Sequence, residues 1–101
     1  MTAPQPCVRH HRIIDAVARV LGVPPDTVRA PSGKREAHAR RVAAFVLHTD
    51  CRDDARVGET LGAAPAVVCG WRSLVQRQLR HDRTLRHEIA QVARALRTWA
   101  A

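Results

Sequence analysis

The amino-acid sequence predicts an all-α fold of about six helices, organised around a central pair of helices joined by a tight turn. In several segments apolar residues recur three or four positions apart, which places them on one side of an α-helix. Stretches rich in proline and glycine separate these segments. No stretch shows the apolar–polar alternation of a half-buried strand, so we expect helices alone.

The first two helices are predicted on either side of Gly22. Between Arg9 and Leu21 the apolar residues follow a helical period, and a glycine directly after such a pattern is a typical helix stop. Pro24 and Pro25 favour the start of a short second helix, because proline is tolerated in a first helical turn.

The densest cluster of positive charge lies at residues 33–41, directly before the apolar body of a third helix at residues 42–47. Cations near a helix N-terminus oppose the helix dipole. A basic cluster at a position where it destabilises the helix indicates a loop that contacts phosphates. The alternative is a helix start that is simply exposed to solvent. A polar connection at residues 49–53 is expected to follow. The candidate DNA-contacting residues of the cluster are Lys34, Arg35, Arg40 and Arg41.

The central unit spans Asp54 to Leu79. Its first helix and its turn, Gly62-Ala63, lead to a second helix that begins near Pro65, and Asp53 or Asp54 is expected to cap the first helix. A short helix, a glycine turn and a longer helix form the outline of a helix-turn-helix, in which the second helix enters the DNA major groove. The apolar stripe of that second helix is Val68, Trp71, Val75 and Leu79, with Val67 and Leu74 beside it.

A last helix is predicted after Asp82, which is expected to be its N-cap. Its arginines lie on the faces away from its apolar stripe. The stripe is Leu85, Ile89, Val92, Leu96 and Trp99, and the arginines are Arg83, Arg86, Arg94 and Arg97.

The chain is small and strongly basic. Its 101 residues fit one domain, and we expect residues 1–8 to be a flexible tail and residues 9–101 to form a single helix-turn-helix domain. The net charge is +8, and sixteen of the seventeen basic residues are arginine. Such an excess favours a polyanionic partner, most simply nucleic acid. The alternative is a basic protein from an arginine-rich proteome.

Other classes of site have little support. The three cysteines are widely spaced, and no second pair of metal ligands follows Cys7, His10 and His11 at the usual spacing, so neither a disulfide framework nor a zinc site is predicted. Gly33-Lys34 lacks the rest of a P-loop, so no nucleotide is expected. We expect no cofactor, no metal, no membrane segment and no enzymatic activity, and a cytoplasmic, nucleoid-associated protein.

The order of elements resembles the C-terminal DNA-binding domain of the bacterial replication initiator DnaA over nearly the whole chain. The resemblance is carried, in order, by Gly22-Val23, Lys34-Arg35-Glu36, Arg41, Leu47, Val57-Gly58 and Gly62. It implies a helix-turn-helix fold of the Trp-repressor-like group, in which Arg35 enters the minor groove, Arg41 contacts phosphate and Gly62 begins the turn. Where that family carries the base-reading residues DHTT, this chain carries residues 63–68, AAPAVV. The resemblance therefore implies a diverged, stand-alone relative whose sequence specificity is different from that of DnaA or weaker.

The side of the second helix opposite its apolar stripe is the predicted reading surface. Arginine at its C-terminal part can bind guanine or phosphate, serine can donate or accept, and alanine offers a contact to a thymine methyl group. The residues predicted to meet DNA here are Ala64, Ala66, Val67, Gly70, Ser73 and Arg77.

Two functions remain open at this stage. The first is a small transcriptional or replication-associated regulator that binds double-stranded DNA through the basic loop and the helix-turn-helix. The second is a protein-interaction module on a DnaA-like fold that has lost base reading. In that case Ala66 and Gly70, which are small enough for close approach, face another regulator or a polymerase subunit.

Overall fold

The computed structural model describes residues 8–30 and 32–100, except for the side chains of residues 8, 99 and 100. The described residues form six α-helices and no strand, which confirms the all-α prediction. Residues 1–7 of the predicted tail and the predicted core position of the Trp99 side chain lie outside this description. The helices are α1 (Val8–Leu21), α2 (Pro25–Arg29), α3 (Lys34–Cys51), α4 (Asp54–Leu61), α5 (Pro65–Gln78) and α6 (Arg83–Ala100).

Gly22 ends α1 as predicted. Its φ of +70° lies in the left-handed region, which a residue without a Cβ enters without steric strain. The backbone N–H of Val23 then donates to the carbonyl of Ala18 at 2.9 Å, so one of the last carbonyls of the helix is satisfied.

Helix α3 is the centre of the packing. It contacts α1 on one side and α4 and α5 on the other, while α6 packs against α1. Its buried positions alternate between alanine and larger residues, with Ala39, Ala43 and Ala44 fully buried beside Val42 and Leu47. Alanine at a contact lets neighbouring helices approach closely. Helices α5 and α6 thus have different main partners: α5 packs on α3 and α4, and α6 packs on α1.

The connection after α3 is shorter than the sequence predicted. Residues 49–51 are helical, and only Arg52 and Asp53 separate α3 from α4. The hydroxyl of Thr49 donates to the carbonyl of Val46 at 2.6 Å, so this polar residue is accommodated within the helix. The stop comes from Arg52, whose φ is +53° and whose N–H donates to the carbonyl of His48 at 2.8 Å. Arginine rarely adopts this conformation, so the sequence does not show it.

A buried polar contact joins α1 to α4. His10 is 4% exposed, and its Nδ1 lies 2.9 Å from Oγ1 of Thr60. Since the Thr60 hydroxyl donates its only proton to the carbonyl of Arg56, we assign the proton of the His10–Thr60 bond to Nδ1. Burial lowers the pKa of His10 below its ordinary value of 6.5, with opposing effects from Asp50 and smaller lowering effects from Arg56 and His11.

Candidate nucleic-acid interface

Helices α4 and α5 meet at a three-residue turn, Gly62-Ala63-Ala64, that requires two glycines. Gly62 ends α4 in the left-handed region with a φ of +69°. The N–H of Ala63 donates to the carbonyl of Gly58 at 2.9 Å, one turn earlier in α4. Gly58 is buried, and a Cβ added there would collide with the carbonyl oxygen of Ala63. The turn therefore folds back closely onto α4 because Gly58 has no side chain.

The two aspartates before and at the start of α4 have different roles. Asp53 is the N-cap, because its Oδ1 accepts from the backbone N–H groups of Ala55 at 3.0 Å and Arg56 at 3.4 Å. Asp54 instead accepts two hydrogen bonds from Arg72 of α5, at 2.7 and 2.8 Å. Of the two aspartates predicted as possible caps, Asp53 is therefore the one that caps α4.

The Asp54–Arg72 pair fixes the start of α4 to the middle of α5. Both side chains are less than one-quarter exposed, and Nε2 of His48 lies 3.6 Å from Oδ1 of Asp54. The hydrogen bonds from Arg72 lower the pKa of the Asp54 carboxyl, with burial opposing this shift. Arg72 was missed by the sequence interpretation, because its partner lies 18 residues away and no short-range pattern marks the pair.

Arg40 serves the fold at the position where a phosphate contact was predicted. Its Nη2 donates to the carbonyl of Leu61 at 2.7 Å and to that of Gly62 at 3.3 Å. The guanidinium carbon lies 4.8 Å from the centre of the Trp71 ring, which is within the range of a cation–π contact. Arg40 therefore satisfies the end of α4 and joins α3 to both helices of the unit.

The other three basic residues of the predicted loop differ in their surroundings. Lys34 and Arg35 are exposed in the first turn of α3, so they lie on the helix and not in a loop. Nε of Arg35 donates to the carbonyl of Leu21 at 3.1 Å, which ties α3 to the end of α1. Arg41 is half-buried, and within the described part of the chain its Nε finds no hydrogen-bond partner.

The predicted reading surface of α5 faces away from the protein. All six residues are exposed, and a Cβ placed on Gly70 meets nothing within 4 Å from the described residues outside its own stretch of helix. Val67 was predicted both beside the apolar stripe and on the reading surface, and its 45% exposure places it on the outer face. Val68 and Val75 are fully buried on the inner face, and Trp71 and Leu79 pack against the core as predicted. We call the exposed set the outer face of α5: Ala64, Ala66, Val67, Gly70, Ser73 and Arg77.

The charged residues in and directly after α5 are all basic. No aspartate or glutamate occurs from Pro65 to His81, whereas Arg72, Arg77 and Arg80 do. Arg72 is neutralised by Asp54, and Arg77 and Arg80 are exposed beyond it. The outer face is consequently apolar near the N-terminus of α5 and cationic near its C-terminus.

No group of three or more histidine, cysteine, aspartate or glutamate residues among those described is placed to hold a metal ion. His10, considered above with Cys7 and His11, is bonded to Thr60, and Cys7 lies outside the described residues. None of the described helices is long and apolar enough to cross a membrane.

No protein-family model matches this chain, and no curated protein matches it in sequence. The interpretation of the interface therefore depends on the geometry and chemistry of its own residues.

Proposed function

We propose that this protein binds double-stranded DNA by placing the outer face of α5 in the major groove. The observation that carries the proposal is that α5 has an open, acid-free outer face in a helix-turn-helix whose inner face is closely packed. A turn of three residues containing glycine is typical of the helix-turn-helix units that present their second helix to DNA. The net charge of +8 favours the same partner.

The small side chains of the outer face suit close approach to DNA. An α-helix with its side chains is about 10–12 Å wide, which is close to the width of the major groove, about 12 Å. Ala66 and Gly70 keep the N-terminal half of α5 narrow, and no other part of the described chain covers Gly70. The helix backbone can therefore lie near the base edges.

The outer face is suited to read thymine methyl groups. Ala66 and Val67 offer apolar surface in the first turn of α5, and methyl groups at C5 of thymine are the apolar features of the major groove. Ser73 and Arg77, further along the helix, supply hydrogen bonds to phosphates or to guanine. This combination implies sequence preference weaker than that of a protein with several polar base contacts, and different from that of DnaA.

The phosphate contacts come from cations on α3 and α5, of which only Arg41 is half-buried. Lys34 and Arg35 at the start of α3 are exposed, although Nε of Arg35 also holds the end of α1. We assign the contacts with the DNA backbone to Lys34, Arg35 and Arg41 on α3 and to Arg77 on α5. Arg40 acts as a positioning residue that joins α3 to the turn. Such a protein would act as a small regulator of transcription or replication.

Ala66→Glu tests the proposal most simply. The substitution places a carboxylate in the first turn of α5, where the helix dipole stabilises it, so the fold is retained. Ala55→Glu is the matched control, because Ala55 is also exposed and is also the second residue of its helix, α4. Fluorescence anisotropy with a mixed-sequence duplex at low salt should show binding that Ala66→Glu weakens at least tenfold and Ala55→Glu changes less than threefold.

The salt dependence gives a second readout of the same titrations. The logarithm of the binding constant should fall linearly with the logarithm of salt concentration, because phosphate contacts release counterions. Wild-type protein that leaves the duplex unbound at low salt, or equal affinities for Ala66→Glu and wild type, would exclude a role of α5 in DNA binding.

One observation favours the second candidate function, a docking site for a protein partner. Val67 is an exposed large apolar side chain, and Ala66 and Gly70 beside it allow close approach of another helix. Gly70→Leu fills that surface and would abolish the capture of a protein partner, whereas Arg35→Ala would leave it intact. Loss of duplex binding in both variants supports DNA as the partner instead.

A further inference from the structure

Helix α6 carries a second cationic surface that the proposed function does not use. At about 100° per residue, Arg83, Arg86, Arg94 and Arg97 fall within about 80° of arc on one side of the helix. All four are exposed. The one acidic residue of α6, Glu88, is half-buried and lies 3.5 Å from His38 of α3, away from this side. We call these four arginines the α6 stripe.

Most of the α6 stripe is not engaged within the protein. Nη1 of Arg86 donates to the carbonyl of Leu79 at the end of α5. Among the described residues, the side chains of Arg83, Arg94 and Arg97 make no hydrogen bond or ion pair. Their positive charges are therefore directed to solvent along a length of about 21 Å, taking 1.5 Å per residue.

A groove beside the stripe adds further donors. It runs between α1 and α6, with Val20 and Ala95 at its floor and Arg94, Gln91 and Thr98 along the α6 side. Arg19 of α1 lines the opposite side. Guanidinium, amide and hydroxyl groups at the edges of a shallow groove are the groups with which proteins usually contact a sugar–phosphate backbone.

The position of the stripe separates it from the outer face of α5. Helix α6 packs on α1, α1 packs on α3, and α3 packs on α5. The α6 stripe therefore shares no residue with the outer face of α5, and the two helices meet where Arg86 reaches the carbonyl of Leu79.

We propose that the α6 stripe binds the phosphate backbone of a second DNA duplex, so that one molecule bridges two duplexes. The first duplex is held as in the proposed function, on which bridging rests. A regular array of phosphates fits a linear row of guanidinium groups. A lipid surface fits less well, because the apolar residues of α6 that an interfacial helix would insert, Leu85 and Val92, are buried in the core.

The test is capture of a second duplex. A biotin-labelled 30-base-pair duplex on beads is loaded with the full chain, washed, and incubated with a fluorescent duplex. The variant R83Q/R94Q/R97Q removes three charges, and glutamine has nearly the helix propensity of arginine, so α6 remains folded. The control R29Q/R52Q/R56Q removes three exposed arginines from other helices and connections. We expect wild type and control to retain the fluorescent duplex and the α6 variant to retain at least tenfold less.

The same assay identifies the results that overturn the inference. Equal capture by the α6 variant and wild type would show that bridging arises elsewhere, for example from a dimer with two α5 faces. Absence of capture by wild-type protein that is bound to the first duplex would also overturn it. So would binding of phosphatidylserine vesicles that depends on the α6 stripe without any capture of DNA.

Ala66→Glu distinguishes a failure of this inference from a failure of the proposed function. If both surfaces act, Ala66→Glu alone leaves residual duplex binding, and adding R83Q/R94Q/R97Q removes it. If only the proposed function fails, Ala66→Glu has no effect on duplex binding while the α6 variant still weakens it at least tenfold. If only the inference fails, the α6 substitutions change neither duplex binding nor the capture of a second duplex.

Discussion

Gly58 and Gly70 are glycines within helices of the same helix-turn-helix, yet their surroundings are opposite. Gly58 is buried on the inner side, where a Cβ would meet the Ala63 carbonyl. Gly70 is on the outer face of α5, where a Cβ would meet nothing within 4 Å. Packing therefore requires a glycine at Gly58, whereas nothing in the packing requires one at Gly70. That difference locates the region of this unit whose composition is set by something other than packing, and it coincides with the proposed DNA contact.

Replacing each glycine by alanine gives the largest contrast. We expect Gly58→Ala to lower the free energy of unfolding by about 3 kcal/mol, because backbone must move to admit the methyl group. We expect Gly70→Ala to raise it by roughly 0.5–1 kcal/mol, since alanine is the better helix former and space is open. Urea denaturation of both variants checks this. Equal changes in stability would show that the two sides of the unit do not differ as described.

Arg40 and Arg77 extend the comparison to charge. Arg40→Gln removes the donors to the carbonyls of Leu61 and Gly62 and the contact with Trp71, and should cost about 2 kcal/mol of stability. Arg77→Gln should change stability by no more than about 0.5 kcal/mol but reduce the salt slope of duplex binding by about one. Thermal unfolding and salt titrations of both variants measure the two effects. A stable Arg40→Gln protein with reduced duplex affinity would instead assign Arg40 to DNA.

Removal of thymine methyl groups tests the apolar part of the outer face. A duplex with deoxyuridine in place of thymidine keeps its hydrogen bonds and loses only the methyl groups. Burial of one methyl group contributes about 0.8 kcal/mol, so affinity should fall about fourfold for each methyl contacted. Val67→Ala should reduce this difference between the two duplexes. Identical binding of both duplexes by wild type would remove Ala66 and Val67 from base recognition.

The smallest expected effect is on the pH dependence of stability, through the buried His10 of α1. Burial lowers its pKa in the folded protein below the ordinary 6.5, so the neutral ring is favoured by folding. Its contribution to stability is complete above pH 6.5 and is lost as the pH falls from there through the lower folded pKa. The urea midpoint should therefore decrease between about pH 7.5 and 5.5, and this decrease should be smaller in His10→Gln. Equal decreases of the urea midpoint in wild type and His10→Gln would contradict this role of His10.

The sequence predicted most of the fold because the residues that begin and end its helices act locally. Gly22, Gly62 and the N-cap Asp82, whose Oδ1 accepts from the Leu85 N–H at 3.0 Å, each act within one helical turn. Helix α3 was predicted to end too early, because its stop is an arginine, Arg52, in a conformation that arginine seldom adopts. Val67 lies at the edge of the helical stripe, so the sequence placed it both beside that stripe and on the reading surface, and the fold exposes it.

The hydrogen-bond partners of the arginines could not be predicted from the sequence. A cluster of basic residues in the sequence indicates available cations only if no carbonyl or carboxylate lies nearby in the fold. Arg40, Arg35 and Arg72 each bind a group between 14 and 21 residues away. Which arginines stay exposed follows from the packing of the helices and not from local spacing. Arg40 is thus engaged within the fold, whereas Arg77, which was also predicted to meet DNA, stays exposed.

The central claim is that the outer face of α5 contacts DNA, and amide chemical shifts test it most directly. Spectra of the isotope-labelled chain recorded during addition of a mixed-sequence duplex should show the largest changes at Ala66, Val67, Gly70 and Ser73. The amides of the inner residues Val57 and Gly58 should change little. Saturating duplex binding that leaves the α5 amides unmoved, with changes confined to other helices, would contradict the account.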